Sequence, residues 1–421
     1  MAQETILSHE VLRQIREIKT VDLVVGIPTY NNAATVGQVL KTVSAGLAAH
    51  FSGVRSLLVH ADGGSLDETK AIVDQTAEQD SNLLMLSHLP HPIRRLIAPY
   101  SASFGRSHAV HTFFEIAASL GAKALVFVDS SSRSINSEWI ALLTRPILFE
   151  GFDLVAPFYS RHKYDGTITS HLIYPLVRAL YGKRIRQPVA DDFAFSSRLV
   201  AHLLRKNIWH RHLSQYGLEV WMAMTAVAEG FEVCQSFLGP KISVRNEPGN
   251  ELSAVLNQVV GTAFGLMERN YEVWSQIRGS EPVTVFGVPA EVGLESIEVD
   301  ARRMIGAFRQ GLTDLYAVWK NFLPQTVLED LKRLAECDQD TFSFADTLWV
   351  KTIFEFAVAF HKSRMSRDHL IKSLTPIYLG RIASFVRETQ KSSAADVENK
   401  IELLCLEYEN LKSYLIERWK A

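Results

Sequence analysis

From Asp22 to Pro157 the chain alternates short apolar runs with amphipathic stretches of helical length, and this alternation constrains the fold more than any other feature of the sequence. Asp22 to Ile27 (DLVVGI), Val54 to His60 (VRSLLVH), Leu83 to Leu86, Leu125 to Val128 and Asp153 to Pro157 read as strands. The intervening segments read as helices: Val36 to Leu47, a stretch beginning near Asp67, Gly105 to Leu120, and Glu138 to Leu148. In the first of these Val36, Val39, Leu40 and Val43 share one face, and Thr35 is placed to cap it. Strands and helices in this order build right-handed βαβ units and a mainly parallel sheet.

Such a sheet collects ligands just beyond the carboxyl ends of its strands. Three polar loops are therefore expected at one edge: Pro28 to Asn32, Asp62 to Asp67, and Asp129 to Ser134. Asp129 follows the buried run LVFV directly, so a carboxylate is carried to that edge by an apolar strand. Asp62 suits a hydrogen bond to a nucleotide base or ribose hydroxyl, and Gly63 and Gly64 allow close backbone approach. A simpler reading makes Asp62-Gly63-Gly64 a turn and Asp67 the cap of the next helix.

The segment from Ser160 to Asn250 is less regular and rich in aromatic and polar residues, which favours functional loops over disorder. From Leu252 the pattern is helical: Leu252 to Met267, Ala301 to Phe322, Thr326 to Ala335, Phe342 to Lys362, Ile377 to Thr389 and Ala394 to Trp419. The last carries Ile401, Leu404, Cys405, Tyr408, Leu411 and Leu415 at helical spacing, a core or dimer-facing stripe. Prolines and glycines between Pro282 and Pro289 mark a domain change, giving residues 1–280 as a sheet domain with acceptor loops at about 160–250, and 281–421 as a helical domain.

The formal charge of −2 over 421 residues removes the bulk basicity of a nucleic-acid binder. No apolar run is long enough to span a bilayer, and the N-terminus lacks a signal-peptide core, so a cytoplasmic location is expected. The scattered Cys234, Cys337 and Cys405 read as reduced core residues. His108 and His111 share a helical face, but without a carboxylate at tight spacing they read as packing or surface residues rather than metal ligands.

PTYNN, DGGSLDET, SFGRSHAV and VDSSSRSI, taken in order, resemble the sugar-nucleotide domain of family 2-like glycosyltransferases with the A-type, Rossmann-like fold. YPLVRALYGKRIRQPVADDFAFS, YGLEVWM, FLGPK and LNQVVGTAF extend the likeness to the glucosylglycerate, mannosylglycerate and glucosyl-3-phosphoglycerate synthase branch, over roughly residues 22 to 265. The resemblance implies retaining transfer of a hexose from a nucleoside diphosphate sugar to glycerate, 3-phosphoglycerate or a similar small acid. It places Pro28, Tyr30, Asn31 and Asp62 around the nucleoside, and Gly105 and Arg106 near the base or diphosphate. Asp192, Arg186, Gln187, Tyr216 and Glu219 fall around the sugar and acceptor, Asp192, Arg186 and Glu219 being the catalytic candidates.

The resemblance also implies a divalent cation, magnesium or manganese, on Asp129, the first acid of an Asp-x-Asp element. Here two of its usual ligands are replaced. Ser131 stands where the second acid is expected, and the Lys-x-His element reads Lys241-Ile242-Ser243. Lys241, with Arg133 and Arg245, then offers a cation-free way to neutralise phosphate. The same losses support an alternative, a catalytically silent protein that binds a nucleotide sugar or acts as a scaffold. A homodimer through the C-terminal helices is a further expectation.

Overall fold

The computed structural model describes residues 5–79, 85–88, 103–206, 208–209, 215–243, 252–288 and 297–421. Eight strands form one sheet: β1 (Leu23–Thr29), β2 (Ser56–Asp62), β3 (Met85–His88), β4 (Ala124–Phe127), β5 (Leu154–Ser160), β6 (Phe193–Ser196), β7 (Val233–Pro240) and β8 (Val285–Phe286). Their order is β8-β7-β5-β6-β4-β1-β2-β3. Every pairing is parallel except those of β6, which runs antiparallel to both β4 and β5. The fold is therefore α/β with a mainly parallel sheet, accompanied by a C-terminal helical region, as the alternation requires.

The central strands are apolar because helices cover them. β1 is buried along its whole length. At Gly26 a Cβ would stand 2.5 Å from the Phe113 ring, so only glycine lets the Ser103–Ser119 helix lie this close to β1. The Val36–His50 helix buries Val36, Val39, Leu40 and Val43, the face read from the sequence. Thr35 makes no cap through its side chain; its hydroxyl instead donates to the Ser130 carbonyl at 2.7 Å.

The chain divides into two compact units, each of three segments. One comprises residues 1–160, 189–249 and 283–292; the other comprises 161–188, 250–282 and 293–421. The sequence suggested a single boundary near residue 280, whereas the chain crosses between units several times.

Most of the supposed irregular middle is regular structure. It holds the helices Tyr174–Tyr181, Ser197–Leu204 and Gln215–Ala228, and the strands β6 and β7. The Tyr174–Tyr181 helix is buried at every position and spans only eight residues, and FAFS is too short to declare itself a strand.

In the second unit the helices Leu252–Arg269, Ala301–Trp319, Gln325–Glu336, Asp346–Lys362 and Thr375–Thr389 match the helical pattern closely. The final helix does not run unbroken; it stops at Asn410 and restarts at Lys412. Lys412 is drawn inward there, and its ammonium donates to the carbonyls of Ala179 and Ile277 at 2.7 and 3.0 Å. Ile401 and Cys405 pack with Tyr174, Phe385 and Val397, and Leu404, Tyr408 and Leu415 are buried as well, so this stripe is core within the unit rather than a dimer face. Gly311 permits the close crossing of two helices, since a Cβ there would lie 2.2 Å from Pro376.

Cys234 and Cys405 are buried free thiols, but Cys337 is only partly buried, at the end of a helix rather than in the core. No described helix is long and apolar enough to cross a membrane.

Candidate functional site

The chain passes from β1 to β2 and β3 on one side, then returns to place β4 on the other side of β1. Beyond such a reversal the loops of adjacent strands diverge and leave a crevice at their carboxyl ends. The register aligns Thr29 with Asp62, so the loops after β1 and β2 begin at the same level. They are laced together. Thr29 Oγ1 donates to Asp62 at 3.1 Å, the Asn31 N–H donates to Ser65 Oγ at 2.9 Å, and the Leu66 N–H donates to Asn31 Oδ1 at 2.8 Å. Ser130, in the loop after β4, places its hydroxyl 2.6 Å from the Pro28 carbonyl and 2.9 Å from Asn32 Oδ1. The three loops expected at one edge are thus joined by direct hydrogen bonds.

Their side chains have different freedom. The Asp62 carboxylate accepts from the Gly64 and Ser65 N–H groups, each at 2.9 Å, and from the Ser65 hydroxyl at 2.6 Å. It therefore organises the turn, as the simpler reading anticipated. Asp67 does likewise, accepting from the Thr69 N–H at 3.0 Å and the Ala33 N–H at 3.1 Å. Asn31 holds the left-handed conformation at φ 54°, which asparagine tolerates better than most side chains. Tyr30 remains 39% exposed at the lip, with its ring open to a ligand.

A second cluster arises from four adjacent strands. Antiparallel pairing sets Phe127 of β4 opposite Phe193 of β6, so Asp192, just before β6, lies beside the residues that follow β4. The Asp129 N–H donates to Asp192 Oδ1 at 2.7 Å. β5 and β7 run parallel in a register that pairs Ser160 with Pro240, which delivers Lys241 to the same edge. Its ammonium lies 2.9 Å from Asp129 Oδ2 and 2.8 Å from Asp192 Oδ2. The Tyr159 hydroxyl donates to the same Asp192 oxygen. Ser131 gives both its N–H (2.9 Å) and its hydroxyl (2.8 Å) to Asp129, and the Ser243 hydroxyl adds a contact at 3.2 Å.

Burial alone would raise the Asp129 carboxyl, but Lys241 and Arg106 outweigh it and hold Asp129 well below the usual carboxylate range. Burial likewise opposes the charge on Lys241, yet Asp129 and Asp192 raise its pKa above that of a free lysine. Both groups are ionised at neutral pH.

Arg106 extends the cluster. It lies 3.2 Å from Glu219 and 3.4 Å from the Asp191 carboxylate, and donates to the Asp191 carbonyl at 2.8 Å. Burial pushes the Glu219 carboxyl well above its ordinary value; Arg106 pulls it down, while Asp191, Asp129 and Asp192 add to the rise. Glu219 is thus a buried carboxyl whose burial and acidic neighbours oppose the pull of a permanent guanidinium.

The remaining candidates are distributed differently. Gly105, Arg106 and His108 belong to the Ser103–Ser119 helix, as the pattern suggested. Tyr216 lies in the Gln215–Ala228 helix, its side chain outside the described residues, as is Arg245 altogether. Arg186 and Gln187 belong to the second unit. Arg186 forks onto Glu398 at 2.9 and 3.2 Å and lies 5.2 Å above the Tyr174 ring. His111 stacks on Trp209 at 4.4 Å, a packing role, but Glu115, four residues on, also lies 3.5 Å from its Nε2. Tyr159 and Ser130 were missed by the sequence reading. Only their positions at the ends of apolar strands signalled them.

Asp129, Ser131 and Ser243 do not fit a divalent ion in this arrangement. Both Asp129 oxygens already accept protein donors, and the Lys241 ammonium lies 2.9 Å from Asp129 and 2.8 Å from Asp192. Among the described residues no group of three or more His, Cys, Asp or Glu side chains is placed to hold a metal. Lys241, expected at the nucleotide, pairs with two carboxylates.

No family model and no curated protein matches the sequence. In structure the chain is similar to glucosyl-3-phosphoglycerate synthase from Mycobacterium tuberculosis. Its complex with Mn2+, UDP and glucosyl-3-phosphoglycerate aligns with a TM-score of 0.44 and 22% identity, covering 64% of this chain and 87% of that one. Its complex with Mg2+ and UDP gives 0.43 and 21%, covering 64% and 86%. A third structure of that enzyme gives 0.43 and 22%, covering 61% and 85%.

Proposed function

We propose that this chain transfers a hexose from a nucleoside diphosphate sugar to a small acid such as glycerate or 3-phosphoglycerate, with retention at the anomeric carbon. The observation that supports this reading best is the joining of the Pro28, Asp62 and Asp129 loops beside a cluster of two cations and four acids, most of them buried. Tyr30 offers a ring for the base, and Asp62 and Asn31 hold the loops that shape the nucleoside pocket. Arg106 is the cation nearest Glu219, and Asp192 supplies negative charge for the carbon that becomes electron-poor as the leaving group departs. In front-face transfer the bond from the anomeric carbon to the diphosphate oxygen breaks and a bond to the acceptor oxygen forms. The acceptor's hydroxyl proton passes to the departing diphosphate.

A second reading, binding without turnover, draws on a specific observation: Lys241 is already paired with both Asp129 and Asp192. Thermal-shift measurements with UDP-glucose, GDP-mannose and related donors separate the readings when combined with proton NMR of donor consumption in the presence of glycerate and 3-phosphoglycerate. Stabilisation with consumption supports transfer. Stabilisation without consumption supports the silent protein, and no response to any donor sinks both.

A further inference from the structure

Lys241 is not a surface lysine that happens to meet an acid. Its own N–H donates to the Ser160 carbonyl at 3.2 Å, and the residues after it form a short antiparallel pairing with the β4 loop. In that pairing the Arg133 N–H donates to the Ile242 carbonyl at 2.8 Å, and the Ile242 N–H donates to Ser134 Oγ at 3.0 Å. The side chain is 2% exposed, and its ammonium lies 5.3 Å from the Tyr159 ring and 5.5 Å from the Trp139 ring. Two aromatic rings and two carboxylates around the ammonium make a cation pocket.

The acids are equally constrained. Asp192 is held by the Asp129 N–H and the Tyr159 hydroxyl, and Asp129 by Ser131. An ion bound at ordinary carboxylate distances of roughly 2.0–2.6 Å from Asp129 would collide with the ammonium and be repelled by it.

We propose that Lys241 is the resident counter-cation of this site: its ammonium takes the position between Asp129 and Asp192 that a divalent ion would need, so the site excludes such ions and binds its diphosphate ligand without added metal. The statement about diphosphate rests on the nucleotide-sugar reading. The exclusion of metal stands apart from it.

The test uses the full chain, stripped with EDTA and titrated with Mn2+ alone, the free ion being read by electron paramagnetic resonance. Wild type is expected to leave Mn2+ free. Lys241→Met, which keeps the apolar stem and removes the charge, is expected to retain Mn2+ at least about tenfold more strongly, and Lys241→Arg to behave as wild type. Mn2+ retention by wild type equal to that of Lys241→Met overturns the proposal. Should Lys241→Met not fold, Asp129→Asn decides: it is expected to leave the wild-type result unchanged, and Mn2+ retention by wild type that Asp129→Asn abolishes overturns the proposal. In a second arm, the UDP-glucose thermal shift is measured in EDTA and in Mn2+. Equal shifts are expected, and a shift seen only with Mn2+ overturns the proposal. No shift in either condition removes the nucleotide-sugar reading, while the Mn2+ titration still decides the role of Lys241.

Discussion

Each unit buries a cation between two carboxylates, and the two arrangements differ in what they leave for a ligand. In the helical unit Arg178 is fully buried and reaches Glu402 and Glu409 at 2.5 Å each. Glu402 is 45% exposed, and both acids rise from the regular surface of the Ala394–Asn410 helix. The guanidinium fork matches a carboxylate's geometry, and the result is a clamp between two helices. In the sheet unit Lys241 meets Asp129 and Asp192, 8% and 0% exposed, which come from the ends of strands rather than from a packed helix face. An ammonium is a point charge with no planar preference. Similar charges therefore make a scaffold in one place and a site in the other, because strand ends converge on a crevice and helix faces do not.

The largest test of this contrast compares Lys241→Met with Arg178→Met by urea unfolding. Lys241→Met removes the ammonium between two buried carboxylates and is expected to cost about 3–5 kcal/mol. Arg178→Met should cost less, about 2 kcal/mol, since Glu402 can regain water. An equal or reversed order would mean that exposure does not distinguish the two clusters.

The acids beside the arginines should titrate in opposite senses. Hydrogen bonding to Arg178 lowers the Glu402 carboxyl, whereas burial raises Glu219 despite Arg106. Glu402 thus contributes stability that is present above its ordinary value and lost as pH falls through its lowered one. Glu219 holds its proton more tightly folded than unfolded, so its contribution is full below its ordinary value and declines as pH rises towards its raised one. Glu219→Gln is expected to remove a decline of about 1.4 kcal/mol per pH unit across that window. Glu402→Gln should flatten the acid limb instead. Stability measured from pH 4 to pH 8 in both variants checks the signs.

The smallest effect belongs to Ser131→Ala. The Ser131 N–H still serves Asp129, and only the hydroxyl at 2.8 Å is lost, so a cost of about 1 kcal/mol is expected. A loss approaching that of Lys241→Met would make the serine, rather than the ammonium, the main partner of Asp129.

Several parts of this picture were legible in the residues. LVFVD announced a strand that ends in a carboxylate, and Asp129 stands just beyond β4. Asp62-Gly63-Gly64 suited a turn, and Asp62 makes one. Other parts were hidden for physical reasons. FAFS lies in the sheet as an antiparallel strand between β4 and β5, a placement that depends on partners far away in sequence. The pairing of Arg186 with Glu398, both in the second unit, joins residues 212 apart in sequence.

Local pattern determined the α/β class, the helical C-terminal region and the delivery of Asp129 to the carboxyl edge, because burial periodicity and strand termini are properties of short windows. Tertiary structure alone decided what Asp129 meets there. Inserting β6 antiparallel beside β4 brings Asp192 against it, and the β5–β7 register carries Lys241 to both acids. Sheet order and register are set by long-range pairing, which no local window encodes.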